Sequence, residues 1–357
     1  MQTKAKAGNL QAMTALGAEW WNDSCDPDHL AEAVTQGATG ATSNPVIVET
    51  VVSSNLERWL PAVRELATRD PSASAEEVTW ELIHEMGRRS AEILRPEYEA
   101  SNGARGYLSL QVNPENSEDE ETMFKQAGEL AALAPNIAIK VPSTPPGFAV
   151  AERLLARGIS VNTTVSFSVG QAVAAAEAID RGLAAYAKAG NDPATLHPYV
   201  TIMVGRVGDY LNRVAESRSM DPINTDLIVM SGVWVFRRAA RIFQERGFGS
   251  TLLAAAYRHE LQWSQIIGPN VLQSIPYGFW TKFQNAPCTI RETIQDGEDN
   301  ERVQELRELL PEYDLVYQVN GLTSDAFESF EATRVTVKQF REGYRKLVGL
   351  VAENMNR

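Results

Sequence analysis

A single lysine stands in a short apolar stretch near the middle of the chain. Lys140 is the only charged residue in the run 137–142, which ends at a proline. Such a run is typical of a buried strand in a parallel sheet. Burial disfavours the ammonium form, lowers the pKa of the amine and allows it to attack a carbonyl and form a Schiff base. A structural lysine paired with a carboxylate would fit this strand equally well.

The alternation of side chains along the strand places the amine apart from its branched neighbours. Residues 138 and 140 share one face, whereas Ile137, Ile139 and Val141 share the other. Lys140 can therefore point into an enclosed space while the branched side chains pack outward.

Polar residues end or line most of the other predicted strands and form a ring around this amine. The candidates are Asp23, Asn44, Gln111, Asn162, Thr164, Thr201, Arg206 and, after a predicted seventh strand, Arg237 or Arg238. Each has an ordinary structural explanation when taken alone: Asn44 before a proline suits a turn, and Arg206 suits a surface ion pair.

Together these side chains fit carbon–carbon cleavage beside a carbonyl. A protonated imine on Lys140 would accept the electron pair, and Asp23 would be the base for the hydroxyl that becomes an aldehyde. Asn44, Asn162 and Thr201 could hold a polyol. Gln111 and Thr164 could position a water molecule, and Arg206 with Arg237 could bind an anionic tail.

Eight strand candidates separated by helix-like segments predict the architecture. They are residues 18–23, 38–44, 106–112, 137–142, 159–165, 199–204, 226–232 and 271–276. Alternating strands and helices indicate a parallel α/β sheet, and eight units predict a (β/α)8 TIM barrel, whose active sites lie at the carboxyl ends of the strands. A doubly wound open sheet is the alternative, but no G-x-G-x-x-G turn follows any of these strands.

Two segments fall outside a minimal barrel. Residues 45–105 form an insertion between strands two and three, with a helical pattern over 73–94, and residues 322–357 suggest extra C-terminal helices. We expect one barrel domain over residues 1–357.

Composition excludes several other classes. The net charge of −13 argues against a nucleic-acid surface, and the two cysteines and four scattered histidines form no disulfide framework or metal-ligand motif. No apolar stretch is long enough to span a membrane, and the N-terminus lacks the apolar region of a secretory signal. We therefore expect a cytoplasmic protein, with a homo-oligomer compatible with the sequence.

Five motifs follow one another along the chain: 42–45 (TSNP), 139–144 (IKVPST), 158–164 (GISVNTT), 167–172 (FSVGQA) and 204–206 (VGR). In this order they resemble the transaldolase family, which includes the fructose-6-phosphate aldolases. The resemblance implies a (β/α)8 barrel with a Schiff-base lysine at Lys140, and a general acid/base at Asp23. It also implies substrate contacts from Asn44, Asn162, Thr201 and Arg206, a water-positioning Thr164, a second phosphate-binding arginine after strand seven, and no metal or other cofactor.

Two departures from the family pattern bear on the substrate. Gln111 stands where transaldolases typically have a glutamate, whereas the aldolase branch uses glutamine. The segment after strand eight is unusual, and Tyr277, Phe279 and Trp280 could form either an apolar wall of the site or part of an aromatic core.

The leading hypothesis is a metal-independent transaldolase of carbohydrate metabolism, as in the pentose phosphate pathway. It would move a dihydroxyacetone unit from a ketose phosphate to an aldose acceptor. An aldolase of the same mechanism, or a transaldolase-like enzyme of a specialised pathway, is the alternative. A non-catalytic sugar-phosphate-binding barrel is a third.

Overall fold

Eight parallel strands close into a barrel in the computed structural model, which describes residues 8–355. Each strand pairs with the next along the chain, and the eighth pairs with the first. The strands are β1 (Glu19–Asn22), β2 (Gly40–Thr42), β3 (Tyr107–Gln111), β4 (Ile137–Pro142), β5 (Val161–Thr164), β6 (Tyr199–Met203), β7 (Thr251–Ala255) and β8 (Val271–Ile275). The predicted (β/α)8 barrel is confirmed.

Helices precede β1, connect the strands and follow β8. They are α1 (Asn9–Thr14), α2 (Pro27–Thr35), α3 (Pro45–Ser54), α4 (Leu56–Arg69), α5 (Ala75–Ala100), α6 (Glu120–Ala131), α7 (Pro145–Leu155), α8 (Val169–Lys188), α9 (Val204–Ser217), α10 (Thr225–Arg246), α11 (Glu260–Ser264), α12 (Tyr277–Phe283), α13 (Asn300–Leu309), α14 (Tyr313–Tyr317) and α15 (Glu331–Asn354). No helix within residues 8–355 is long and apolar enough to cross a membrane.

The prediction of strand seven was wrong. Residues 226–232 form the first turns of α10, and Asn224 accepts a hydrogen bond from the backbone N–H of Asp226 as the helix cap. The run is apolar because this part of α10 is buried on several sides, and periodicity cannot separate a short buried helix segment from a buried strand. The true strand is β7, which begins after α10 ends at a left-handed Gly247.

The two additional segments are helical. The insertion over 45–105 contains α3, α4 and α5, and α5 begins with a capping box in which Ser74 and Glu77 bond each other's backbone N–H. In the C-terminal segment, α15 is the principal helix. That residues 1–357 form one domain stays a prediction, and residues 1–7 and 356–357 lie outside the described part.

The interior of the barrel contains a separate apolar cluster. It is formed by the buried side chains of Trp21, Tyr107, Ala138, Tyr199, Leu253, Ala255 and Leu272. All but Ala255, which ends β7, lie before the last residue of their strand. Gly40 is required beside them, because a Cβ at this position would lie 2.6 Å from the Trp21 ring. On five strands, the residue two positions beyond a member of this cluster is polar: Asp23, Ser109, Lys140, Thr201 and Ser274. On these five strands, the interior of the barrel thus changes from apolar to polar toward its carboxyl end.

Candidate active site

Lys140 lies on β4 with its amine inside the barrel, in an environment that favours the neutral form. The residue is 5% exposed, and Nζ donates a hydrogen bond to the backbone carbonyl of Ser43 at 3.3 Å. Burial lowers the pKa of Lys140, although the charge of Asp23 partly opposes this. Among the described residues, no carboxylate oxygen lies within 4.0 Å of Nζ. The structure therefore does not pair this lysine as a structural ion pair would require.

Asp23 follows β1 directly and lies at the same end of the barrel. Its Oδ1 accepts a hydrogen bond from Thr42 at 2.5 Å, and the Thr42 hydroxyl is also 2.5 Å from that of Ser274. Burial among protein atoms raises the pKa of the Asp23 carboxyl, while Lys140, Thr42 and Arg206 act in the opposite direction. The environments of Lys140 and Asp23 thus bring the two pKa values toward each other, as proton exchange at neutral pH requires.

Asn162 and Thr201 lie beside the amine and hold each other. Asn162 is the partner of Lys140 in the β4–β5 register. Its Oδ1 accepts from the Thr201 hydroxyl at 2.7 Å, and its Nδ2 donates to the Ser109 hydroxyl at 2.9 Å. These bonds fix the amide orientation in a buried layer formed by three strands.

Asn44 caps a helix and also lies near the amine of Lys140. Its Oδ1 accepts from the backbone N–H of Ile47 at 3.0 Å and so caps α3. The residue comes next after Ser43, whose carbonyl binds Lys140. The cap therefore holds the end of β2 against the lysine.

Gln111 and Thr164 present polar atoms without protein partners. Gln111 is the register partner of Lys140, and Thr164 that of Pro142. Within the described part of the chain, Gln111 Oε1 and Thr164 Oγ1 are buried and accept or donate no hydrogen bond. Both residues line a small cavity under α15. Unpaired buried polar atoms are costly, and such groups suit contact with a small polar molecule.

The backbone directly after Thr164 is strained. Val165 has a φ of +58°, a left-handed conformation that a β-branched residue rarely adopts. Such outliers cluster at functional sites, where the surrounding structure holds them in place. Here the strained turn leads from β5 into the cap of α8.

Arg206 lies in the first turn of α9, next to a second arginine. Gly205 permits this approach, because a Cβ there would lie 2.1 Å from the carbonyl oxygen of Ala256 in the turn after β7. The pKa of Arg206 is lowered to about 10, chiefly by burial and then by the positive charge of Arg258. Arg258 donates to Asp209 at 2.9 Å and to the carbonyls of Ala256 and Tyr257. Arg206 follows β6 and Arg258 follows β7, so the two guanidinium groups lie at neighbouring strand ends, and both are candidates for binding an anion.

The placement of Arg237 after a strand was wrong. Arg237 is in α10, which precedes β7, and its Nε and Nη1 donate to the backbone carbonyls of Gln265 and Gly297 at 2.9 and 2.8 Å. The side chain is committed to holding the loops that flank β8, outside the ring of polar residues. Arg238, the alternative, is in the same helix and stacks on Tyr317.

Arg258 is the residue that the sequence reasoning missed. It follows the true strand seven by three positions. The signal was present in the chain: α10 ends at Gly247, and the alternation of helix and strand requires the next apolar run, 251–255, to be β7. Thr42, Ser274 and the Ser43 carbonyl were likewise not recognised as partners of Asp23 and Lys140.

The aromatic residues after β8 pack against the core to different degrees. Trp280 is buried, packs against Trp20 at 5.5 Å and donates to Asn22 Oδ1 at 3.1 Å. Tyr277 is half-buried and stacks on His29 at 3.8 Å, and Phe279 is half-buried as well. The core interpretation therefore holds for Trp280, whereas Tyr277 and Phe279 lie at the edge of the core.

No group of three or more histidine, cysteine, aspartate or glutamate side chains in the described part of the chain is arranged to hold a metal ion. The metal-independent mechanism stays a prediction.

Comparison with known proteins agrees with this arrangement. The family model described as Transaldolase/Fructose-6-phosphate aldolase matches residues 20–340. The transaldolase of Mycobacterium ulcerans (strain Agy99) is 32% identical over 248 residues, which cover 66% of this chain and 65% of that protein. The transaldolase of Thermobifida fusca (strain YX) is 34% identical over 206 residues, covering 56% and 55%. The aligned part thus spans less than two thirds of these relatives.

The matched range contains the lysine, the aspartate and all other members of the polar ring described above. On this evidence, the chain belongs to the transaldolase/fructose-6-phosphate aldolase family.

Proposed function

We propose that this protein is a transaldolase that moves a dihydroxyacetone unit from a ketose phosphate to an aldose acceptor through a Schiff base on Lys140. The observation that carries the proposal is the buried amine of Lys140, which has a backbone carbonyl as its hydrogen-bond partner and lies near Asp23. A buried amine of this kind is a nucleophile, because desolvation increases its neutral fraction.

The reaction begins with addition of the neutral amine to the ketose carbonyl carbon. Loss of that oxygen as water, with a proton from the Asp23 carboxyl, leaves a protonated imine on Nζ. The Asp23 carboxylate then takes the proton of the hydroxyl on C4 as the C3–C4 bond breaks, and the bonding electron pair moves into the imine to form an enamine. The aldose phosphate leaves as an aldehyde. The enamine carbon then adds to the aldehyde carbon of the acceptor, which restores the protonated imine, and Asp23 returns its proton to the aldehyde oxygen.

Hydrolysis of the new imine requires a water molecule beside Nζ. The unpaired oxygens of Gln111 and Thr164 lie on the strands that flank Lys140 and suit this task. The proposal assigns contacts with hydroxyl groups of the sugar to Asn162, Thr201 and Asn44, whose amides and hydroxyl are held by hydrogen bonds within the protein. Arg206 and Arg258 together suit the terminal phosphate.

Cleavage without transfer is the second candidate, and Gln111 favours it. A glutamine cannot accept the proton of the attacking water as a carboxylate can, so proton transfer would rest on Asp23. An aldolase would release dihydroxyacetone in the absence of any acceptor. Assaying free dihydroxyacetone with and without an aldose phosphate separates the two activities.

The deciding experiment is borohydride trapping followed by intact-protein mass spectrometry and peptide mapping. With fructose 6-phosphate, and separately with dihydroxyacetone, we expect a reduced three-carbon adduct on Lys140. Lys140→Met is the matched control and should give no adduct. An unmodified wild-type protein with both compounds would contradict the proposal and favour a non-catalytic sugar-phosphate binder.

A further inference from the structure

The C-terminal helix α15 forms a roof over the polar end of the barrel. Val337 and Phe340 line the small cavity that also contains Gln111 and Thr164. Gly343 lets the helix approach α3 closely, because a Cβ there would lie 2.7 Å from the Val46 side chain. The helix therefore covers the strand ends between α3 and α9.

Arginine contacts hold α15 in place both at its start and farther along the helix. Glu331, at the start of α15, accepts two hydrogen bonds from Arg213 of α9 at 2.7 and 3.1 Å. Farther along, Arg341 and Arg345 donate to the loop after β3, at the Pro114 carbonyl and the Glu115 carboxylate. The position of α15 over the site is thus held by contacts on opposite sides of the barrel.

The side-chain partners of Arg206 come from α15. Its Nη1 donates to Thr336 Oγ1 at 3.3 Å and to Gln339 Oε1 at 2.6 Å. Thr336 is buried, at 1% exposure. Both acceptors are neutral, so they orient the guanidinium without neutralising its charge.

The opposite edge of this guanidinium has no protein partner. Arg206 Nε is buried and, within residues 8–355, neither it nor Nη2 donates a hydrogen bond to another group. The Nε and Nη2 hydrogens form the parallel pair that binds two oxygens of a phosphate or carboxylate. Hence α15 occupies Nη1, whereas the bidentate Nε–Nη2 edge is unpaired.

We infer that Thr336 and Gln339 are positioning residues that set Arg206 for a phosphorylated substrate, so that α15 selects phosphorylated over unphosphorylated sugars. The inference rests on the proposed function and deepens it. The same helix contributes Phe340 to the wall beside Gln111 and Thr164. In this inference α15 therefore both positions Arg206 for the phosphate and encloses the part of the site near Gln111 and Thr164.

The test compares Thr336→Val/Gln339→Ala with the wild type by the concentration dependence of borohydride trapping. With fructose 6-phosphate, the half-saturating concentration should rise about tenfold, the equivalent of losing roughly 1.4 kcal/mol in two hydrogen bonds to a charged group. With dihydroxyacetone, which has no phosphate, the dependence should not change. Lys338→Ala is the control, because Lys338 is exposed on the same helix and pairs with Glu342 alone at 3.8 Å.

Several outcomes would overturn the inference, and they differ from failure of the proposed function. Unchanged dependence on fructose 6-phosphate, or equal weakening with both compounds, would mean that Thr336 and Gln339 have a structural role only. Absence of any adduct in the wild type would instead refute the Schiff-base function, and the inference with it. Gln339→Ala alone repeats the test at an exposed position if the double variant does not fold.

Discussion

At the scale of single residues, the molecule keeps one amine in an environment that costs stability. Lys140 is 5% exposed and has one hydrogen bond, to a backbone carbonyl. The pKa of Lys140 in the folded protein is lowered below 10.5, the value in the unfolded chain. The contribution of this group to the free energy of unfolding is therefore fully present above pH 10.5. It is lost as the pH falls through the folded pKa, when the buried amine gains a charge. Such a cost is typical of groups retained for chemistry.

We predict that Lys140→Met abolishes turnover and raises the free energy of unfolding by about 1 kcal/mol. Methionine fills a similar volume and removes the buried polar head. Denaturant unfolding near neutral pH, together with the transfer assay, measures both effects. Lys125→Met, an exposed lysine of α6, is the control and should change neither. A variant that is less stable than the wild type would show that Lys140 supports the fold.

At the scale of elements, two helices decide where the candidate anion-binding arginines lie. The first turn of α9 brings Arg206 beside Arg258 because Gly205 packs against the turn after β7. In α10, Arg237 instead bonds to the loops around β8. Three arginines that are comparable in the sequence therefore have different tasks.

We predict that Arg258→Ala affects substrate binding, whereas Arg237→Ala affects stability. Arg258→Ala should raise KM for a phosphorylated substrate about tenfold or more, because it removes one charged group from the anion site. Arg237→Ala should leave KM unchanged and lower the free energy of unfolding by about 2 kcal/mol, because two partly buried carbonyls lose their donor and Asp296 loses its ion pair with Arg237. Steady-state kinetics and denaturant unfolding of both variants test this. A tenfold rise in KM for Arg237→Ala would contradict this prediction and show that Arg237 takes part in substrate binding.

At the scale of the whole molecule, buried histidines make stability depend on pH. Burial lowers the pKa of His84 in α5 and of His197 before β6, although Glu81 and Glu19 partly offset the shifts. His84 Nε2 is buried and has no partner among the residues described, so protonation would leave an unmet donor there. The contribution of each histidine is fully present above the unfolded value of 6.5 and is lost as the pH falls through the folded pKa.

We predict that the free energy of unfolding falls between pH 7 and pH 5, and that His84→Phe reduces this slope. The unfolded chain binds a proton that the folded chain resists, and phenylalanine removes that difference at one site. Denaturant unfolding at several pH values gives both slopes, and the difference between them cancels the opposing contribution of Asp23. Equal slopes would mean that His84 is not the responsible group.

Local pattern was sufficient for much of this protein. The alternation in 137–142 identified an inward lysine, and seven predicted strands overlap β1 to β6 and β8. These assignments succeed because a parallel strand buried on both faces has a short, distinct composition. The placement of Asp23, Asn162 and Thr201 near Lys140 followed from the rule that strand ends converge at one face of the barrel.

Packing decided the rest. Residues 226–232 are as apolar as a strand, but they form the first turns of α10, which begins at the Asn224 cap and is buried against neighbouring elements. Arg206 lies beside Arg258 and is bonded to Thr336 and Gln339 of α15, and all of these positions are far apart in the chain. Periodicity encodes which face of an element is buried, but it contains no information about which distant element covers that face. For this reason candidates for the reacting groups could be proposed from local sequence, whereas the groups that orient them emerged only from the closed fold.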